Sequence, residues 1–348
     1  MNTTIRRPDR APDRALVIGG TLFIGRALVR RLLARGDEVT ILHRGNLNPF
    51  AGQALEIQCD RNDPEAIARK LGGGRFDVVY DNVYDWQRGT TAAQVKAAAV
   101  ATANGLRRYV FTSSVAAYGD GLDHCEDDAL APPDHPEDYV RNKAATERTL
   151  FGLHREQGLP AVTLRPPYVY GPENPFYREA FFWDRLLAGR PILLPDNGER
   201  LMQFVLADDL ARAAILAADT DAAAGRAYNV AHESAITQRS LVEALAAAAG
   251  KQAELVAAPR KRLVELGGKL FDPPFYFAQY YDMPPITENT TRARQELGFE
   301  PTSFEEGLRQ TFAWYRAQER PPADFSFDDK ALADLRGATS TTGKEARM

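Results

Sequence analysis

Tyr139 and Lys143 stand four residues apart, a spacing that puts both on one face of a helix. An ammonium beside a phenol favours the phenolate and draws tyrosine's pKa of ~10 toward neutrality. A tyrosine tuned in this way gives a proton to a carbonyl oxygen or takes one from a hydroxyl. The lysine can also hydrogen-bond the ribose of a nicotinamide. The spacing alone is common by chance. It gains weight from Thr112-Ser113-Ser114-Val115-Ala116-Ala117-Tyr118-Gly119, where Ser114, 25 residues before Tyr139, can donate to the reacting oxygen.

A second constellation is Gly19-Gly20-Thr21-Leu22-Phe23-Ile24-Gly25. Glycine permits a tight turn whose backbone N–H groups reach a pyrophosphate at a helix N-terminus, and Gly25 permits close packing of helix on strand. A glycine pattern is weak alone, but here a strand precedes it and a helix follows. Leu22 occupies the position of the middle glycine. The next strand ends at His43-Arg44, where an acid would bind the adenosine ribose of NAD. Arg44 instead suits the 2′-phosphate of NADP, which tilts the reading to NADP with NAD kept open; the alternative is a solvated loop arginine. Cys59-Asp60-Arg61 follows the third strand. Asp60 is placed to accept from the adenine amino group, or else simply caps a helix.

These residues need a frame. Ala15 to Ile18 is a short branched apolar run, and Ile24 to Ala34 has helical periodicity ended by Gly36. Strands follow at 38–42, 55–58, 76–80, 108–112 and 161–165, alternating with helices at 63–70, 90–103 and 139–156. That alternation predicts an α/β fold, a Rossmann-type doubly wound parallel sheet. Past Gly171, prolines and aromatics crowd in clusters at 172–183 and 271–281, and 227–230 reads as a strand returning to the sheet. The predicted organisation is a flexible arm (1–14), a dinucleotide-binding domain (15–171, with 205–235 returning to it), a smaller discontinuous substrate lobe (172–204 and 236–319) and a loosely ordered tail (320–348).

Composition narrows the function classes. The chain of 348 residues is 44% hydrophobic and 26% charged, ordinary globular usage. Its net charge of −4 provides no global basic field, so no nucleic-acid partner is expected. Two cysteines exclude a disulfide scaffold, and five scattered histidines show no metal-ligand spacing, so no metal is expected. The first fourteen residues lack the apolar stretch of a signal peptide, and no run approaches the ~20 apolar residues of a membrane helix. A cytoplasmic protein without membrane contact is expected.

Taken together, the glycine turn, Asp60, the Ser-Ser-x-x-x-Tyr-Gly segment, Tyr139/Lys143 and Leu164-Arg165-Pro166-Pro167-Tyr168-Val169-Tyr170-Gly171-Pro172 resemble the extended short-chain dehydrogenases/reductases of the NAD-dependent epimerase/dehydratase family. Phe204 to Ala211 and Glu296-Leu297-Gly298-Phe299-Glu300-Pro301 fit as well, so the resemblance spans roughly 15–318. It implies a bound nicotinamide dinucleotide, Ser114 as carbonyl polariser, Tyr139 as acid/base and Lys143 as its tuner. The implied cofactor-binding set is Gly19, Thr21, Leu22, Phe23, Ile24, Gly25, His43, Arg44, Asp60, Arg61, Asn82, Lys143 and Pro166. A small-molecule substrate would meet Ser114, Tyr168 and Arg200. A homodimer paired through the helices at 90–103 and 139–156 is also implied.

The departures from the family bear on the reaction. Family dehydratases place an Asp-Glu pair directly after the catalytic Ser/Thr, and decarboxylases a glutamate at the second position; here stand Val115 and Ala116, which transfer no proton. A reductase, dehydrogenase or epimerase working on a hydroxyl/carbonyl pair is left. Tyr168 and Met202 replace an Asn and a diphosphate-binding Arg that are frequent in sugar-nucleotide enzymes, with Arg200, Arg292 or Arg294 as possible substitutes. The aromatic clusters line a pocket or fill the lobe's core. The competing reading is a non-catalytic dinucleotide- or RNA-binding relative, since some proteins with a Gly-Gly-Thr-x-Phe-Ile-Gly turn resemble chloroplast RNA-binding proteins.

Overall fold

The computed structural model describes residues 11–45 and 48–345, with side chains as far as residue 337. The chain divides into two units. One comprises residues up to Val169, Gln203–Ser234 and Ile286–Thr302; the other comprises Tyr170–Met202, Ala235–Pro285 and the chain from Ser303.

The first unit is built on seven parallel strands: β1 Arg14–Ile18, β2 Glu38–His43, β3 Leu55–Gln58, β4 Val78–Asp81, β5 Arg108–Thr112, β6 Ala161–Arg165 and β7 Ala227–Asn229. Their order is β7-β6-β5-β4-β1-β2-β3. Successive side chains of a strand point to opposite faces. Ala15 and Val17 therefore join a core with Leu28 and Leu32 of α1 (Phe23–Arg35) and Leu210 and Ala214 of the helix Ala207–Asp219. Leu16 and Ile18 join the opposite core with Ile67 of α2 (Pro64–Leu71), Val95 and Ala98 of α3 (Ala92–Ala101), and Leu150 and Leu153 of α4 (Asp138–Gln157). Both faces are covered, as a parallel sheet requires. Local chemistry ends the helices where the sequence places the signals. Asp63 Oδ1 accepts from the Ala66 N–H at 2.9 Å with Pro64 behind it, and Gly36 closes α1.

The second unit contains the helices Glu179–Leu187, Gln238–Ala248, Phe304–Arg316 and Ser326–Glu345, and a parallel pair of strands, Ile192–Pro195 with Leu255–Ala258. Much of its interior is aromatic. Phe181, Phe182, Trp183, Phe277 and Tyr281 are all buried, with Phe182 and Phe277 edge-to-face at 5.1 Å. Trp183 Nε1 donates to the Leu245 carbonyl at 3.0 Å.

Three boundaries differ from the sequence reading. Arg14 opens β1 and Asp13 is buried, its carboxylate accepting from Arg107 at 2.6 Å, so the expected arm does not reach residue 14; residues 1–10 lie outside the described residues. Residues 286–302 belong to the first unit, burying Leu297 and Phe299 in the core of its sheet. Within the tail expected to be loosely ordered (320–348), Ser326–Glu345 form a helix. Phe327, Ala331 and Leu332 are buried at helical spacing, and Asp328 accepts two hydrogen bonds from Arg185, both at 2.8 Å. No described helix is long and apolar enough to cross a membrane.

Candidate active site

The glycine turn joins β1 to α1. Gly19 holds φ +83°, and a Cβ on Gly25 would land 1.9 Å from the Gly19 carbonyl oxygen, so any side chain there would push helix from strand. Phe23 opens α1 at φ +41°, a left-handed conformation costly for a bulky residue and of the kind retained at ligand-binding turns. Leu22 sits in extended backbone (φ −132°, ψ 149°), where glycine is not required, with its side chain 60% exposed. The departure at Leu22 therefore brings no strain. Among the described residues no side chain caps α1, which leaves its positive end open to an anion.

At the carboxyl end of β4 stands Asn82. Its Oδ1 accepts from Thr112 Oγ1 at 2.7 Å, while its buried Nδ2 has no partner among the described residues. An orphaned donor beside an uncapped helix end and a glycine-lined turn suits a polar ligand rich in acceptors. The residues present therefore fit a nicotinamide dinucleotide, with the turn holding its pyrophosphate.

Tyr139 and Lys143 lie in the first two turns of α4, with Lys143 Nζ 5.7 Å from the centre of the Tyr139 ring. Lys143 is buried and donates to the Thr112 carbonyl at 2.7 Å. Burial draws its pKa down to about 8, against the upward pull of Asp81 and Glu147. The loop after β4 closes on the tyrosine. Tyr84 meets it edge-on at 4.8 Å and Trp86 stacks on it at 4.9 Å. Ser114 stands two residues beyond β5 and caps the short helical turn Val115–Tyr118. Its Oγ accepts from the Ala116 N–H at 3.2 Å, which leaves its own O–H to donate. Pro166 braces this turn, its carbonyl accepting from the Val115 N–H at 3.0 Å.

Beneath them runs a buried polar network. Arg165 donates to Glu147 from Nε (3.0 and 3.1 Å) and from Nη2 (2.6 Å), and from Nη1 to the Tyr118 hydroxyl at 2.7 Å. Tyr118 in turn donates to Asn229 Oδ1 at 2.8 Å. Glu147 lies one turn after Lys143 on the buried face of α4, so the network fixes the helix that carries Tyr139.

The residues expected to meet the adenosine are charged, and two of their guanidiniums are exposed. Asp60 accepts from Arg88 at 2.8 and 3.2 Å, and the Arg88 hydrogen bond holds its carboxyl below the usual carboxylate range. Arg44 is exposed, with Nη1 3.4 Å from Asp85 Oδ2. His43 is buried. Its Nδ1 accepts from the Gly45 N–H at 2.9 Å, which leaves Nε2 to donate to Glu56 at 3.3 Å.

The remaining candidate residues have partners within the protein. The Arg61 side chain is buried, donating to Asp81 and to the Gln94 carbonyl, because the Asp81 carboxylate needs a cation inside the core. Arg200 lies in the second unit, with its guanidinium engaged by Asp282. Arg292 pairs with Asp127 and Arg294 with Glu233. Tyr168 packs its ring against Phe204 at 5.7 Å. The sequence reading passed over Tyr84, Asp85, Trp86 and Arg88. The available signal was an aromatic and charged loop directly after a strand's carboxyl end, where ligands bind in open α/β sheets.

A family model for the NAD dependent epimerase/dehydratase family matches residues 15–231. The chain is 30% identical over 339 residues to the chloroplast stem-loop binding protein of 41 kDa b of Arabidopsis thaliana, covering 92% of this chain and 84% of that protein. It is 28% identical to the 2-alkyl-3-oxoalkanoate reductase of Stenotrophomonas maltophilia, covering 85% and 98%. The crystal structure of UDP-glucose 4-epimerase from Thermotoga maritima shares the fold, with a TM-score of 0.70 at 24% identity over 87% of this chain and 98% of that one. The chain belongs to the NAD-dependent epimerase/dehydratase family.

Proposed function

We propose that the protein is an NAD(P)-dependent oxidoreductase or epimerase acting on the hydroxyl/carbonyl pair of a sugar-nucleotide-like or other small substrate. The supporting observation is Lys143, buried between the Tyr139 ring and the Thr112 carbonyl on the face of α4 that carries both residues. A bound nicotinamide dinucleotide supplies or accepts the hydride. In the reducing direction the Tyr139 hydroxyl gives its proton to the substrate oxygen as the carbonyl carbon gains the hydride; oxidation runs in reverse. Lys143, protonated below about pH 8, favours the phenolate that results. The Ser114 hydroxyl donates to the same oxygen and stabilises the charge that develops on it. Val115 and Ala116 supply no second proton, so the reading is a hydride and one-proton reaction, not water elimination or decarboxylation.

The exposed Arg44 supports NADP, with NAD as the alternative, and pairing of two copies through α3 and α4 belongs to the same reading. The test is oxidation of NADPH or NADH over a panel of carbonyl compounds and 4-keto sugar nucleotides, with Tyr139→Phe as the control. Activity lost in the variant while its dinucleotide affinity stays intact supports the assignment, and most activity retained overturns it.

The likeness to a stem-loop binding protein favours a second reading, RNA binding without catalysis. The net charge of −4 and the joint presence of Ser114, Tyr139 and Lys143 speak for the enzyme. Salt-sensitive binding of an RNA stem-loop at physiological ionic strength, with no dinucleotide bound, would reverse that choice.

A further inference from the structure

The loop between β4 and α3 carries a charge arrangement that the reaction does not use. Asp85 is fixed within it: Oδ1 accepts from the backbone N–H groups of Gln87 and Arg88, both at 3.0 Å, and the Asp85 N–H donates to Thr90 Oγ1 at 3.0 Å. Its other oxygen, Oδ2, lies between two guanidiniums. Arg88 approaches at 2.7 and 2.9 Å, and Arg44, from the end of β2, at 3.4 Å. Arg88 also bridges to Asp60, the residue expected to read the adenine. The arginine side chains are 60% (Arg44) and 51% (Arg88) exposed, whereas Asp85 is 11% exposed. An anion thus already stands where two arginines from separate segments converge, beside the adenine acceptor.

Resting on the cofactor reading above, we infer that Arg88 and Asp85 set the discrimination between NADPH and NADH. Arg88 is the second guanidinium, with Arg44, for the adenosine 2′-phosphate, and Asp85 is the standing carboxylate that competes with it. Guanidinium forks suit phosphate oxygens, and two of them match a group carrying close to two charges at neutral pH. The 2′-hydroxyl of NADH carries no charge and gains little from either arginine. The Asp85 carboxylate, held ionised by Arg88 and the turn's N–H groups against the opposing effect of burial, repels the phosphate and not the hydroxyl.

The test is fluorescence titration of the purified protein with NADPH and NADH, read as the ratio of their affinities and requiring no substrate. Arg88→Leu lowers the NADPH:NADH ratio roughly ten- to a hundredfold, almost all of it through NADPH. Arg88→Lys, which keeps the charge without the fork, falls between that variant and the wild type. Asp85→Asn keeps the Oδ1 acceptor and hence the turn, and raises the ratio about tenfold or more. Arg44→Leu and Arg88→Leu are non-additive when combined, because both act on one phosphate. An unmoved ratio in Arg88→Leu and Asp85→Asn, or equal losses for both dinucleotides, would overturn this inference alone. A wild-type protein that binds neither dinucleotide would overturn the cofactor reading and this inference with it.

Discussion

Lys143 is sealed from solvent beside the Tyr139 ring, whereas Arg44 and Arg88 keep more than half of their side-chain surface in water. One loop serves both places: Tyr84 and Trp86 pack on Tyr139, and Asp85 and Arg88 reach Arg44 and Asp60. The contrast is energetic. Removing one partner of a buried ion pair costs about 3–5 kcal/mol, while an exposed pair is worth about 0–1 kcal/mol. The buried Arg165–Glu147 pair therefore anchors the helix that carries Tyr139 at high cost to disrupt, whereas the contacts of Arg44 and Arg88 exchange at little cost. On the proposed reading, chemistry is fixed at one end of the loop and cofactor choice is adjustable at the other.

The largest expected effect lies at the reacting end. Tyr139→Phe lowers turnover by a factor of roughly 10²–10⁴ and leaves NAD(P)H affinity unchanged in titration, because only the proton donor is lost. Glu147→Ala strands Arg165 without its buried carboxylate, and urea denaturation shows a loss of about 3–5 kcal/mol; a loss below 1 kcal/mol would mean that the network does not anchor α4. Lys143→Met lowers turnover about a hundredfold without lowering the melting temperature, because the fold disfavours the ammonium that the substitution removes.

Acidity acts on the buried lysine. Lys143 loses its charge above about pH 8, so reduction slows as pH rises from 7 to 9, by up to about tenfold per unit. Stability moves the other way. The unfolded lysine keeps its proton to about 10.5, so between pH 8 and 10.5 the unfolded state binds more protons and this group's penalty on the fold shrinks. Melting of the wild type relative to Lys143→Met over that window checks the sign. Trp86→Ala has the smallest effect, a rate change of about two- to tenfold from loss of the stack on Tyr139, recovered by Trp86→Phe.

Much of this site was legible because local pattern and local chemistry agree. Alternating apolar runs located β1 to β7, Asp63 and Gly36 marked helix ends, and the four-residue step from Tyr139 to Lys143 survives as a shared helix face. What the sequence hid depends on partners distant in the chain. Arg61 resembles a loop arginine until Asp81, 20 residues away, is seen to need it inside the core. Arg165 in an apolar strand and Glu147 on the buried side of α4 each look misplaced until they meet. The tail was obscured by Pro321, Pro322 and its many hydroxyl residues, although Phe327, Ala331 and Leu332 already carry a helical stripe. The loop after β4 has no periodicity to read, and its role emerges only when Arg88 reaches Asp60 across 28 residues.

The central claim is that this site holds a nicotinamide dinucleotide for hydride chemistry. Its most direct test is to denature the purified protein, identify any released dinucleotide, and titrate the stripped protein with NADPH and NADH. The account predicts saturable 1:1 binding of at least one of them, weakened by a side chain introduced at Gly25 and unaffected by Tyr139→Phe. No release and no binding of either dinucleotide, alongside salt-sensitive binding of an RNA stem-loop, would contradict it.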